Sequence, residues 1–194
     1  MYMKRPRNSS PSAPLTGSGS EVRDYNGTGR WAVPAVQARY AEYARMISGE
    51  TSVPPAPREH VAGNVRWVYP IMQSVIEGIE HGDRACIALG LDFIEEDARF
   101  PFGKVLKSNT ARALRRAALT PDQAERVRER IAKLFLAGQI PHEFREYAKL
   151  LRHVGLGKWW PIIEQHTMLT NPYVKRYYEY FHAVQMESNR IASK

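Results

Sequence analysis

Apolar residues recur along most of this chain at intervals of three and four, the spacing of a helix face. Val36, Tyr40, Tyr43 and Ile47 form the first such stripe, with Pro34 ahead of it and Gly49 behind, and predict a helix over 34–48. A second helix is expected from about Val68, where Pro70 is tolerated in the first turn; Ile71, Met72, Val75, Ile76 and Ile79 are its buried face and Gly82 its end. Asp83 is placed to cap a third, whose stripe is Cys86, Leu89, Gly90, Phe93 and Ile94, with Asp92, Glu95 and Glu96 on other faces.

The next helix starts at Phe100-Pro101 or, alternatively, at Ser108. It carries Phe102, Leu106, Thr110, Ala113 and Ala117 on one side. Thr120-Pro121-Asp122-Gln123 is the sharpest local signal: Thr120 and Gln123 can cap each other's backbone, with proline at the first helical position. Ala124, Val127, Ile131, Leu134 and Phe135 follow as a stripe, and Gly138 stops it. Ile140-Pro141 opens another helix, with Phe144, Tyr147, Ala148, Leu151 and Val154 on one face. A short helix is expected around Pro161. A last one follows Asn171-Pro172, with Tyr173, Tyr177, Tyr180, Phe181 and Val184 along one line. No alternating apolar pattern persists, so no strand is expected.

The expected fold is therefore all-α, a helical bundle or a short stack of antiparallel helical hairpins. The starts at Asp83, Pro101, Thr120 and Pro141 give hairpins a little under about 40 residues long, the length of HEAT-like stacking. Overlaying them matches little beyond Phe100-Pro101 with Ile140-Pro141. Residues 1–30 are Ser, Pro, Gly and charge, expected as a disordered basic tail that buries too little apolar surface to offset ordering. Lys4, Arg5 and Arg7 lie in it. A single all-helical domain is expected over 31–194, with 50–63 a Pro-rich connector.

Composition narrows the class. At 43% hydrophobic and 10% aromatic residues, the 194-residue chain can build a core. A single cysteine, Cys86, excludes an intramolecular disulfide. No apolar run approaches the roughly 20 residues that span a bilayer, and the N-terminus lacks the apolar core of a secretory signal. A cytoplasmic location and no membrane partner are expected.

Charge changes the picture more. The net charge is +8, and residues 99–155, with 13 Lys/Arg against 5 Asp/Glu, account for all of it. Just before them, residues 77–97 hold seven acids and one base, Arg84. Such asymmetry points to an anionic partner for the basic stretch, unless the two blocks face each other.

On a helix, Lys104, Lys107, Arg112, Arg115 and Arg116 share a side, with Val105 the apolar exception. Arg126 and Arg130, and beyond them Arg145 and Arg152, can extend this face. Phosphates need such multiple cationic contacts. A helix-turn-helix over 124–154 fits poorly, because its second helix would open with Pro141, His142 and Glu143, where a recognition helix meets bases. The aromatics Trp31, Trp67, Trp159, Trp160 and the tyrosine-rich last helix can stack on bases, although helical spacing marks most of them as core.

Catalytic and metal chemistry lack their patterns. His142, Glu146, Lys149 and His153 share a stripe, but His142 and His153 stand roughly 16 Å apart along a helix, too far for one coordination sphere. Glu95, Glu96 and Asp97 point in different directions. Cys86 lies on an apolar stripe, and Gly103-Lys104 lacks the rest of a phosphate loop. The function expected is non-catalytic nucleic-acid binding, DNA or RNA, through Lys104, Lys107, Arg112, Arg115, Arg116, Arg126 and Arg130, with no cofactor and no metal. The alternative is a protein-interaction or scaffold module of helical hairpins, and a small enzyme ranks third.

Overall fold

A computed structural model describes residues 21–47, 53–97, 101–166 and 169–192. Among these residues the chain is mostly helical, with eight α-helices: α1 (Val33–Ile47), α2 (Met72–Glu80), α3 (Arg84–Glu96), α4 (Gly103–Leu114), α5 (Pro121–Leu136), α6 (Phe144–Val154), α7 (Trp159–His166) and α8 (Pro172–Ala192). It is not purely α. Strands β1 (Glu21–Asp24), β2 (Glu59–Ala62) and β3 (Val65–Val68) form a sheet in the order β1-β3-β2, with β1 parallel and β2 antiparallel to β3.

The sheet corrects the all-α expectation, and it falls where the sequence reading placed a tail and a connector. β1 lies inside the 1–30 segment, whose first 20 residues, with Lys4, Arg5 and Arg7, are outside the described residues. β2 lies inside 50–63, and the helix expected from Val68 begins at Met72 because 65–68 are taken by β3. Gly63-Asn64 joins β2 to β3 in two residues, with Gly63 at φ +61°, which is the turn that closes a tight hairpin. The strands escape periodicity because β1 and β2 are exposed along their whole length, leaving no buried face to pattern.

Helix α3 lies at the centre of the N-terminal half. Every residue from Ala85 to Ile94 is buried, as expected for a helix that is apolar nearly all round. Asp83 caps it by accepting from the Ala85 and Cys86 amides at 2.8 and 3.0 Å. Neighbours come close because two glycines lack side chains. A Cβ on Gly78 would stand 2.3 Å from Cys86 Sγ, and one on Gly90 would stand 2.6 Å from Ile79 Cδ1.

The main helix contacts beyond chain neighbours link α1 to α3, α3 to α5 and α5 to α7, and likewise α2 to α4, α4 to α6 and α6 to α8. Odd helices thus form one row and even helices another, joined where α2 meets α3, α3 meets α4 and α5 meets α6. The expected capping box at Thr120 and Gln123 opens α5, each closing on the other's backbone at 3.2 and 3.0 Å. At the far end Phe135 packs on Phe144 and Phe181, and Phe144 meets the Tyr177 ring edge-on at 4.8 Å.

Candidate nucleic-acid interface

The basic residues singled out from sequence do not share one surface. Lys107 is buried on α4, paired with Asp97 and 3.8 Å from Glu143. Arg126 donates to Asp92 at 2.8 Å and to Glu95 at 2.5 and 2.9 Å. Arg130 donates to the Ile94 carbonyl at 3.2 Å and stands 3.6 Å from Asp97. These three turn inward on the acidic residues at the end of α3. The clash of blocks in the sequence is resolved there by mutual pairing.

Asp92 is the hinge of this pairing. It is buried, and burial alone would raise its pKa. Hydrogen bonds from Tyr43, Arg126 and Arg39 outweigh that and hold the carboxyl below its ordinary value. The same contact, after burial, pushes the Tyr43 hydroxyl up. Asp92 is thus no solvated face residue, since Arg39 of α1 and Arg126 of α5 reach it from both sides of α3.

The remaining four cations stand elsewhere. Lys104 is exposed at the start of α4. Arg116 lies 3.5 Å from Glu80, with both side chains largely in solvent. Arg112 and Arg115 stand 3.5 and 3.6 Å from the same Glu146 oxygen, and Lys149 donates to the other at 3.1 Å. Burial of Glu146 works against its charge, but Lys149 first, then Arg112 and Arg115, hold its pKa below the ordinary value. Three cations on one buried carboxylate leave a surplus of positive charge across α4 and α6.

That surplus continues into a cleft of about 470 Å³ between α6 and α8. Arg145 and Lys149, one turn apart on α6, line one side, with the small Ala148 between them. Arg176, Tyr177 and Tyr180 of α8 line the other. Among the described residues none that lines this cleft is acidic, and Glu146 stands next to it, accepting from Lys149 at 3.1 Å. The Tyr177 hydroxyl is pushed above its ordinary value by burial, helped by Glu146, while Arg176 and Arg145 pull it down.

The sequence reading included Arg145 as an extension, weighed the tyrosines of the last helix for stacking but favoured core, noted Lys149 only on the stripe with His142, Glu146 and His153, and passed over Arg176. The usable signal was the spacing, Arg145 to Lys149 and Arg176 to Tyr180, each i to i+4 on helices that turn out to be neighbours. A second group of aromatics lies at the sheet. Tyr25 stacks beside Trp67 and meets Phe102 edge-on at 5.3 Å, while Arg23 lies 4.6 Å over the Trp67 ring.

No described helix is long and apolar enough to cross a membrane. Among known proteins the chain matches no family model, no curated protein and no solved structure.

Proposed function

We propose that this protein binds nucleic acid, without catalysis, along the even row of helices, read as one side of a short stack of helical hairpins. The observation that carries the reading is the α6–α8 cleft, where Arg145, Lys149 and Arg176 converge and no acidic residue is among the described lining residues. Arg112 and Arg115 extend the positive surface onto α4 through their shared Glu146. Phosphates answer this arrangement, because each cation along the track that neutralises a phosphate releases counterions from the nucleic acid. Of the residues expected from sequence, Lys104, Arg112, Arg115 and Arg116 reach solvent along this row, whereas Lys107, Arg126 and Arg130 pair with carboxylates at the end of α3.

Fluorescence anisotropy of a labelled oligonucleotide tests the reading. Binding at low salt is expected to weaken steeply as salt rises. Arg176→Glu is expected to weaken it further and to reduce the salt slope by about one. Lys133→Glu, an equal charge change at an exposed residue paired with Glu129, is expected to have little effect. Equal losses in the two variants would reduce the effect to net charge and overturn the assigned surface.

A protein-interaction reading has its own observation. Phe102 and Val105 are 57% and 58% exposed, and Phe102 meets the Tyr25 ring edge-on. Phe102 also holds φ +58°, a left-handed conformation that costs a bulky residue about 1 kcal/mol or more. A partner retained after nuclease treatment and lost on Phe102→Glu would favour this reading.

A further inference from the structure

We infer that the α6–α8 cleft seats an unpaired nucleotide of a single strand, its base against Tyr180 and Tyr177 and its phosphate among Arg145, Lys149 and Arg176. This rests on the nucleic-acid reading above and specifies the form of its ligand. The recess is shaped for a face and an edge. Tyr177 and Tyr180 sit three residues apart on one side of α8, partly buried but still lining the opening. Tyr177 is fixed from behind by the edge-on Phe144 ring at 4.8 Å, so its position is set before any ligand arrives. Across from them Ala148 brings no bulk, and its neighbours Arg145 and Lys149 reach past it to the rim.

The cleft is lined from two neighbouring helices, α6 on one side and α8 on the other, so it is a slot rather than a flat face. A duplex keeps its base faces stacked within itself and shows only edges in its grooves. On this surface it would touch the rim arginines and leave the tyrosines without a partner. A single strand can splay a base into the slot and stack it on an aromatic ring, while the same cations hold its backbone. A volume of about 470 Å³ suits one such unit, within the range of small-molecule clefts. Arg112 and Arg115, one helix further along the even row, are placed to take the phosphates that follow.

The test compares a labelled 20-nucleotide oligo-thymidine with a mixed-sequence duplex of equal length, at one low salt concentration, on the full chain. The single strand is expected to bind at least tenfold tighter. Tyr180→Ala is expected to weaken the strand about fivefold or more, the scale of one lost base stack, with Tyr180→Phe close to the parent. Circular dichroism on each variant confirms its helical content, and its binding to the duplex provides a second reference. Equal or tighter duplex binding would overturn the single-strand assignment and leave the nucleic-acid reading standing. No binding to either probe would remove that reading itself. Strand binding that Tyr180→Ala leaves unchanged would remove the stacking. Competition by free thymidine monophosphate at concentrations matching the oligonucleotide would mark a mononucleotide pocket and overturn the strand.

Discussion

Arg126 of α5 donates to Asp92 of α3 at 2.8 Å, so a member of the basic stretch holds a member of the acidic block that precedes it. Arg39 of α1 takes the other Asp92 oxygen at 2.5 Å, and the Tyr43 hydroxyl donates to that same oxygen at 2.6 Å. Three helices of the odd row are thereby tied through one carboxylate.

Removing that carboxylate takes the nearer of two acidic partners from Arg39, whose side chain is 13% exposed, and leaves it Glu96 at 3.3 Å. Asp92→Ala is expected to destabilise the protein by about 3 kcal/mol. That is the low end for breaking a buried pair, because the Arg126 side chain is 39% exposed and can turn to water. Urea unfolding of the parent and the variant measures it, and a loss under about 1 kcal/mol would contradict the central role of this residue.

The acid limb of stability follows from the same group and from Glu146. Both carboxyls are held below their ordinary values in the fold. A depressed folded value means that the charged form favours folding. The contribution is complete above the unfolded-chain values of about 4 and is lost as pH falls through the lower folded ones. Urea midpoints are expected to hold between about pH 5 and 7 and to fall below about pH 4. Asp92→Asn is expected to flatten that fall.

Gly78 faces Cys86 across the α2–α3 interface, where an added Cβ would meet Sγ at 2.3 Å and Cβ at 2.9 Å. Alanine is the better helix former by about 1 kcal/mol. Overpacking a closed interface costs about 1–3 kcal/mol, and with both helices fixed by buried neighbours it is expected to win. Gly78→Ala should therefore lower the thermal midpoint, and Cys86→Ala in the same chain should recover part of the loss. A raised midpoint in Gly78→Ala would show that the helices part easily.

Cys86 itself should be inert in the native protein. Burial, with Asp83 beside it, pushes its thiol up to about 12, so almost no thiolate exists near neutrality. Iodoacetamide at pH 8 is expected to leave the folded protein unlabelled while labelling it in urea, as read by mass spectrometry. Rapid labelling without denaturant would show that the α2–α3 interface opens.

Helix punctuation was legible because it is local. The Asp83 cap and the Thr120–Gln123 capping box lie where their sequence patterns put them. Stop and start residues act within one turn, so no distant contact is needed to read them. The start of α4 was less legible. Phe100 lies outside the described residues, and neither Pro101 nor Ser108 opens the helix, which begins at Gly103 after the left-handed Phe102.

The proposed interface was half legible. Arg112 and Arg115 reach it, but Lys107 lies buried on the same helix, so a face drawn at 100° per residue does not tell solvent from a neighbouring helix. Arg126 and Arg130 were read with them, yet belong to the odd row. Lys149, Arg176, Tyr177 and Tyr180 are scattered over 32 positions, and only the packing of α8 on α6 gathers them.

By itself the sequence determined that the chain is chiefly helical, where most of its helices cap and stop, and that all its net charge lies in one stretch. The tertiary structure decided that a parallel strand pair joins residues some 44 positions apart, Glu21 with Val65. It also decided which cations meet carboxylates and which face outward. The reason is physical: caps and stripes are set by neighbours along the chain, whereas a charge's partner is set by which helices pack together.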